Sequence, residues 1–253
     1  MLMQPTIEKL HSMKLFGMAE AIRRQSEDPE ISRLSFEERV AMLVDQQWDW
    51  RQNKALVRRL KNARFKIESS VEDIDYRHPR RLDRQLIRTL SGSDWVRLHH
   101  NLLVTGPCGV GKSYIACALA QKAVRDGFTA LYVRAPRLFR DLAIVRADGS
   151  FGAVLDRFAR IDVVIVDDWA MAPLADSERR DFLEICDDRY SIRSTVLTSQ
   201  VPVSHWHDQI GDPTVADSIL DRLIHNAHRI ELAGPSMRKS KNGKSSPDGG
   251  DTK

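Results

Sequence analysis

One stretch of this chain has the residue types and the spacing needed to hold the phosphates of a nucleotide. It runs Gly106-Pro107-Cys108-Gly109-Val110-Gly111-Lys112-Ser113 and is followed by Tyr114. The pattern G-x-x-x-x-G-K-[ST] predicts a loop whose glycines let backbone N–H groups turn inward around phosphate. In such a loop Lys112 reaches the β- and γ-phosphates, and the hydroxyl of Ser113 binds Mg²⁺. The stretch from Gly106 to Tyr114 is therefore the predicted contact surface for ATP and Mg²⁺.

Two adjacent carboxylates follow a short apolar segment further along the chain. Residues 163–166 are Val-Val-Ile-Val, and Asp167 and Asp168 come directly after them. A buried strand that ends in an acid can deliver that acid to the Mg²⁺ beside a phosphate loop. A second acid can then orient the attacking water and accept its proton. We expect Asp167 to bind the metal and Asp168 to activate water.

Three further polar residues are candidates for catalysis. Ser199 and Gln200 follow a predicted strand at residues 195–198, where a polar side chain can sense the γ-phosphate. Arg222 lies on a predicted amphipathic helix at residues 213–226. An arginine there is either an ordinary surface charge or a finger donated to a neighbouring subunit, where it stabilises the charge of the transition state.

The surrounding pattern predicts the elements that position these residues. A short apolar strand, Asn101–Thr105, leads into the loop, and a helix at residues 113–126 leaves it. Its positive N-terminal end points at the phosphates. Strands at residues 129–134, 163–166, 195–198 and 229–232 then alternate with helices. We predict an α/β fold, in which a parallel five-stranded sheet has helices on both faces and ligands bind at the carboxyl ends of its strands.

The first hundred residues are predicted to be helical and contain two basic groups. A capping box at residues 35–38 opens a long helix that can continue towards Glu68. From residue 51 to 66 there are seven basic residues and no acid, and a second group follows at residues 77–81. A surface that serves only solubility mixes both signs, so we expect a polyanion such as duplex DNA to bind here, with a solvated surface as the alternative. The candidate DNA-binding residues are Arg51, Lys54, Arg58, Arg59, Lys61, Arg80 and Arg81.

Length and composition exclude several classes of protein. The chain has 253 residues, of which 42% are hydrophobic and 29% are charged, and these are ordinary values for a globular protein. Its formal net charge of +4 favours a polyanionic partner. Its apolar segments are too short to span a membrane, and its three cysteines form no disulfide or metal-binding pattern. We therefore expect a cytoplasmic protein.

Several segments together resemble one family. They are the phosphate loop, residues 132–139, the Asp-Asp-Trp at 167–169, residues 198–207, residues 211–214, residues 219–227 and residues 236–238. The chain is similar in these segments to the IstB-type helper ATPases of insertion sequences, which are relatives of the DnaC-type helicase loaders in the AAA+ superfamily. The resemblance extends from about residue 5 to residue 239.

This resemblance implies an AAA+ core without a C-terminal lid domain and a small N-terminal helical domain that binds DNA and self-associates. It further implies ATP-dependent assembly on duplex DNA, selection of target DNA, and stimulation of an IstA-type transposase. By residue, it implies Gln200 or Ser199 as the γ-phosphate sensor, Arg222 as the finger acting in trans, and Arg238 as a second nucleotide-sensing arginine. Asp168 stands where the superfamily usually has a longer glutamate, so slow hydrolysis is expected.

The expected domain limits are 1–75 for the helical domain, 76–234 for the ATPase core and 235–253 for a basic, Gly/Ser-rich disordered tail. Three alternatives stay open at this point. A helicase loader would use the same ATPase core. A P-loop kinase for a small molecule would not need an acid-free basic helix. A nucleotide-gated DNA-binding module would show negligible turnover.

Overall fold

A computed structural model of the chain describes residues 3–237. The chain divides into two compact units, Met1–Arg59 and Leu60–Lys253, so the division falls inside one long helix and earlier than the expected limit at residue 75. The assignment of DNA binding and self-association to the first unit stays a prediction. In the part of the chain that is described, no helix has the length and apolar character needed to cross a membrane.

The first unit consists of helices α1 (Met3–Ser12), α2 (Phe16–Glu27) and most of α3 (Phe36–Ala63), with a 3₁₀ turn at Ile31–Arg33. The predicted capping box is confirmed. The Glu38 N–H donates to Ser35 Oγ at 3.2 Å, and the Ser35 N–H donates to Glu38 Oε2 at 2.8 Å. These two bonds satisfy N–H groups that the first turn of α3 leaves without partners.

Helix α3 ends earlier than the sequence pattern predicted. Its last residue is Ala63, because Arg64 has a left-handed backbone with φ +54° and cannot continue an α-helix without strain. The expected extension to Glu68 is therefore wrong. Ile67 does not lie on the apolar face of α3 with Leu56 and Leu60.

The second unit begins with two short helices, α4 (Arg84–Leu90) and α5 (Asp94–Arg97), in a region that was predicted to be helical without individual bounds. Asp83 caps the first of them, since its carboxylate accepts from the Gln85 and Leu86 N–H groups at 2.8 and 3.1 Å. Both helices precede the first strand of the sheet.

Five parallel strands form the centre of the second unit, as predicted. They are β1 (Asn101–Thr105), β2 (Ala130–Arg134), β3 (Val163–Asp167), β4 (Ser194–Ser199) and β5 (Ala227–Glu231). Their order across the sheet is β2-β3-β4-β1-β5, and every pairing is parallel. The carboxyl ends of β3, β4 and β1 are consequently neighbours.

Helices cover both faces of this sheet, because parallel strands must be connected by crossovers. They are α6 (Lys112–Arg125), α7 (Ala135–Ala147), α8 (Phe151–Arg160), α9 (Asp176–Arg189), α10 (Trp206–Ile210) and α11 (Pro213–Ile224). The central strands β1 and β3 are buried at every residue, as the continuous apolar runs predicted.

An aromatic cluster lies beneath the end of β3. Trp169 and Trp206 are both fully buried; Trp169 stacks on Phe182 at 4.1 Å between ring centroids and meets Trp206 edge-on at 6.3 Å. The Trp169 backbone N–H donates to the Thr198 carbonyl at 2.8 Å, which ties the segment after β3 to β4. The cluster therefore fixes the backbone at the point where the two carboxylates lie.

Candidate nucleotide site

The predicted phosphate loop lies between β1 and α6, which begins at Lys112. Gly106 has φ +144°, and a Cβ there would lie 2.4 Å from the Leu232 carbonyl oxygen, so only glycine fits. The Lys112 ammonium donates to the Gly106 and Pro107 carbonyls at 2.7 and 2.8 Å and is nearly buried. The lysine is thus held at the mouth of the loop, at the N-terminus of a 14-residue helix whose dipole favours an anion.

Ser113 and Asp167 meet beneath this loop, as the two motifs predicted. The Ser113 hydroxyl donates to Asp167 Oδ1 at 2.7 Å. Asp167 is fully buried and also accepts from the hydroxyls of Tyr132 and Thr198. A carboxylate and a hydroxyl at this distance form an oxygen donor set that suits Mg²⁺, which usually takes its remaining ligands from water and substrate phosphate.

The electrostatic environment keeps Asp167 ionised. Burial alone would raise its pKa, but hydrogen bonds from Thr198, Tyr132 and Ser113 and the charge of Lys66 together lower the pKa below its ordinary value. The Lys66 ammonium lies 3.7 Å from Asp167 Oδ2. Burial, together with the same carboxylate, raises the pKa of Tyr132, so the phenol stays a hydrogen-bond donor.

Asp168 has a different environment from its neighbour. Its backbone is left-handed, with φ +60°, which turns its side chain away from the strand. The carboxylate is partly exposed; its Oδ2 accepts a hydrogen bond from Arg134 Nε at 2.9 Å and lies 2.8 Å from Arg134 Nη2 in an ion pair. Asp168 is therefore paired with a cation at the rim of the site, and its carboxylate is occupied by Arg134.

These groups border a cavity of about 650 Å³, a volume in the range of small-molecule sites. Its lining residues include Gly109, Gly111, Lys112, Ser113, Tyr114, Cys108, Asp168 and Gln200. The opposite wall comes from the segment that follows α3 and includes Lys66, Ile67, Asp73, Asp75 and Arg80. The cavity offers room for a nucleotide with its phosphates at the N-terminus of α6.

The two candidate sensors differ in where their side chains lie. Gln200 lines the cavity. The Ser199 hydroxyl is fully buried and donates to the Trp169 carbonyl at 2.7 Å, while accepting from the Val201 N–H at 3.0 Å. The geometry favours Gln200 as the residue that reaches a γ-phosphate and makes Ser199 a support for the segment after β3.

The expected role of Arg80 in DNA binding has to be corrected. Its side chain is 2% exposed, and its guanidinium donates to the carbonyls of Val110 at 2.9 Å and Asp75 at 2.8 Å. A buried guanidinium that binds the phosphate loop cannot also lie on a duplex. Its neighbour Arg81 is exposed and stays a candidate for DNA contact.

Arg222 lies on α11 outside the cavity lining that the described residues form. Its guanidinium pairs with Asp187 of α9 and donates to the Ser218 carbonyl at 2.8 Å. A contact with nucleotide would have to come from another subunit, so the role in trans stays a prediction. Arg238 lies outside the described residues.

The basic face of α3 is present as predicted. Arg51, Lys54, Arg58 and Lys61 are exposed on α3, and Arg59 is half-buried. The Lys54 ammonium also lies 4.5 Å from the ring centroid of Trp50, a cation–π contact that holds it at the helix surface.

Four residues of the site escaped the sequence analysis: Tyr132, Thr198, Arg134 and Lys66. Thr198 offered a signal, because it is a hydroxyl residue in an otherwise apolar buried strand and buried polar groups need partners. Lys66 offered none, since nothing local predicts that the segment after α3 reaches Asp167.

The fold and the site together define a P-loop nucleotide-binding protein whose core is a five-stranded parallel sheet with helices on both faces. Within that class, the chain belongs to the family described as IstB-like ATP binding protein, whose model matches residues 8–245. The predicted membership is therefore confirmed.

Relatives agree with this membership, and solved structures agree with the fold. The chain is 47% identical over 245 residues to an insertion sequence ATP-binding protein of Sinorhizobium fredii, covering 97% of this chain and 100% of the relative. It is 49% identical over 205 residues to the IS1162 ATP-binding protein of Pseudomonas fluorescens, covering 81% and 89%. The fold is similar to the DnaC helicase loader (TM-score 0.51, 19% identity, 58% and 86% coverage) and to DnaI (0.55, 22%, 67% and 90%).

Proposed function

We propose that this protein binds ATP with Mg²⁺, hydrolyses the ATP, and serves as the helper ATPase of an insertion sequence. The observation that supports this most directly is the Ser113–Asp167 hydrogen bond beneath a cavity that Lys112 and Asp168 also line. The same four positions supply a phosphate cation, two metal ligands and a general base.

Each side chain has a distinct task in this proposal. Lys112 exchanges its two carbonyl acceptors for the β- and γ-phosphates. Ser113 and Asp167 hold Mg²⁺, which neutralises charge on the phosphates when bound. Asp168 orients the attacking water and accepts its proton once Arg134 no longer occupies the carboxylate, and Gln200 contacts the γ-phosphate. Because Asp168 is paired with Arg134 at rest, basal hydrolysis is slow.

The wider role rests on the relatives and on charge. We infer that the protein assembles on duplex DNA with ATP, selects target DNA and stimulates an IstA-type transposase, since the relatives are named as insertion-sequence proteins. The basic face of α3 suits phosphate contacts. The same helix exposes large apolar side chains, Phe36 at 69%, Trp48 at 63% and Val44 at 50%, which suit self-association.

The test is ATP turnover and particle size with and without duplex DNA. We expect Lys112→Ala to lose ATP binding and ATP-dependent assembly while helix content is unchanged. Lys122→Ala is the matched control, because Lys122 lies on the same helix and pairs with Asp126. Unchanged binding in Lys112→Ala would overturn the site, and turnover without any effect of DNA would favour a small-molecule kinase.

A helicase loader is the second candidate, favoured by the fold similarity to DnaC and DnaI. It predicts ATP-dependent binding to a replicative helicase and no effect on a transposase. Parallel pull-downs with the two partners, each with ATP and with ADP, separate the candidates.

A further inference from the structure

A second cavity, of about 430 Å³, adjoins the nucleotide site along the edge strand β2. Strand β2 pairs only with β3 among the described strands, so its outer edge is the free edge of the sheet. Helices α7 and α8 contribute to the other walls, through residues such as Leu138 and Phe158. This cavity plays no part in the function proposed above.

The walls of this cavity combine apolar and basic groups. Five basic side chains line it against one acid, and that acid, Asp141, already pairs with Arg137 at 3.4 Å. In the described part of the chain, Arg64 and Arg157 have no ion-pair partner. The cavity therefore has positive charge that no acid balances, and this favours an anionic ligand. The apolar lining is formed by Leu131, Val133, Leu138, Leu142, Val154 and Phe158.

Two side chains belong to both cavities. Arg134 lines each of them and holds Asp168 by a hydrogen bond from Nε and an ion pair, while Lys66 lines each and lies 3.7 Å from Asp167. A carboxylate placed in the second cavity would offer Arg134 a new partner. Asp168 would then be released to act as a base.

We propose that this β2 cavity binds an acidic peptide segment of a partner protein, with an apolar side chain as anchor, and that this binding draws Arg134 away from Asp168. The inference rests on the proposed function, because it assigns Asp168 the role of base. A duplex nucleic acid fits less well, since its phosphates lie outside and its bases are stacked inside, so that no apolar group reaches the lining. Residues 238–253 of the same chain carry five basic and two acidic residues and no large apolar anchor, which does not suit a basic cavity.

The test uses the full chain and three capped hexapeptides: alternating aspartate and leucine, alternating aspartate and serine, and alternating lysine and leucine. Calorimetry should show binding of the first, binding at least about ten-fold weaker for the second, and none for the third. The first peptide should also raise ATP turnover. Failure of that peptide to bind overturns the proposal.

Charge-reversal variants test whether the aspartate–leucine peptide binds in the β2 cavity. Arg157→Glu should weaken binding of the aspartate–leucine peptide about ten-fold or more while basal turnover is kept. Arg160→Glu is the matched control, because Arg160 lies on the same helix and outside the cavity. If Arg157→Glu instead weakens duplex DNA binding or self-assembly and leaves peptide affinity unchanged, the cavity has a different occupant and the proposal is wrong.

ATP turnover tests the link between the β2 cavity and the nucleotide site. Arg134→Gln should raise basal turnover, and the peptide should add nothing further. A fall in turnover would overturn the release of Asp168. If the unaltered chain hydrolyses no ATP under any condition, the proposed function fails while peptide binding still tests the cavity; if it hydrolyses ATP and ignores the peptide, only this inference fails.

Discussion

Two adjacent carboxylates in this chain have opposite surroundings. Asp167 is fully buried and accepts three hydroxyl hydrogen bonds, whereas Asp168 is partly exposed and bound by Arg134. The first environment stabilises a fixed anion that can hold a metal. The second allows a carboxylate to change its partner.

Exchanging each acid for its amide should separate the two roles. Asp168→Asn keeps the metal ligands and removes the base, so ATP binding should persist while turnover falls by about two to four orders of magnitude. Asp167→Asn should instead weaken Mg²⁺-dependent ATP binding. Equilibrium binding and single-turnover hydrolysis measure the two effects; normal turnover in Asp168→Asn would contradict the assignment.

The buried position of Arg80 leads to a second prediction about a single residue. Arg80→Ala leaves the buried Val110 carbonyl without this donor, at a cost of about 1–3 kcal/mol, and also removes the partly buried bond to the Asp75 carbonyl. ATP affinity should fall, whereas DNA affinity at saturating ATP should stay unchanged. The control is Arg81→Ala, which removes an exposed charge next to it. A loss of DNA affinity with normal ATP binding would restore Arg80 to the DNA surface.

The segment after β3 depends on elements that sequence patterns do not connect. The Asp-Asp pair predicted the positions of Asp167 and Asp168, and the apolar run at residues 163–166 predicted strand β3. The packing that orients them comes from Trp169, Phe182 and Trp206, which are far apart in sequence and meet only in the folded unit. A left-handed aspartate and a hydroxyl from β4 then place the side chains.

We expect Trp169→Ala to destabilise the protein by about 3–5 kcal/mol, because it removes a fully buried ring from this cluster. Denaturant unfolding measures the loss, with Trp48→Ala on the exposed face of α3 as the control. ATP turnover should fall further than ATP binding, since the backbone of Asp168 loses its support. Equal loss of both would show that the cluster serves only stability.

Strands and the phosphate loop were predictable because their signals are local. The sheet, its burial and the loop follow from apolar runs and glycine spacing, and all five strands form where they were expected. The end of α3, the bounds of the short helices α4 and α5, and the buried position of Arg80 were not predictable. Each depends on a backbone conformation or a distant contact that single-residue patterns do not encode.

The proposed assembly leads to a test of whether Arg222 acts in trans on a neighbouring subunit. A finger acting in trans contributes about three to five orders of magnitude in rate, and its own subunit does not need it. Mixing Arg222→Ala with Asp168→Asn, which is expected to keep ATP binding, should therefore restore activity that neither variant has alone. Asp187→Ala is the control, because it breaks the same ion pair and keeps the arginine. No recovery in particles shown to contain both variants would argue against the finger.

The basic face of α3 gives a prediction for DNA binding. Each phosphate contact contributes about −0.9 to the slope of log affinity against log salt. Changing Arg51 and Arg58 to glutamine should weaken binding to every duplex and reduce the slope by up to about two units. ATP binding should be unaffected. An unchanged slope, measured in excess ATP, would move the DNA contact to Arg81 or to the ATPase core.

The phosphate loop also has close contacts with the chain's own last described segment. A Cβ at Gly106 would meet the Leu232 carbonyl, and a Cβ at Gly109 would lie 2.1 Å from Ser236 Oγ. These two glycines are thus required by the fold even before any nucleotide arrives. A relative that had lost the lysine and its activity would still keep both glycines, so their presence in a homologue is no proof of a working ATPase. Under the proposed function, Lys112, Asp167 and Asp168 are the residues that distinguish an enzyme from its inactive descendant.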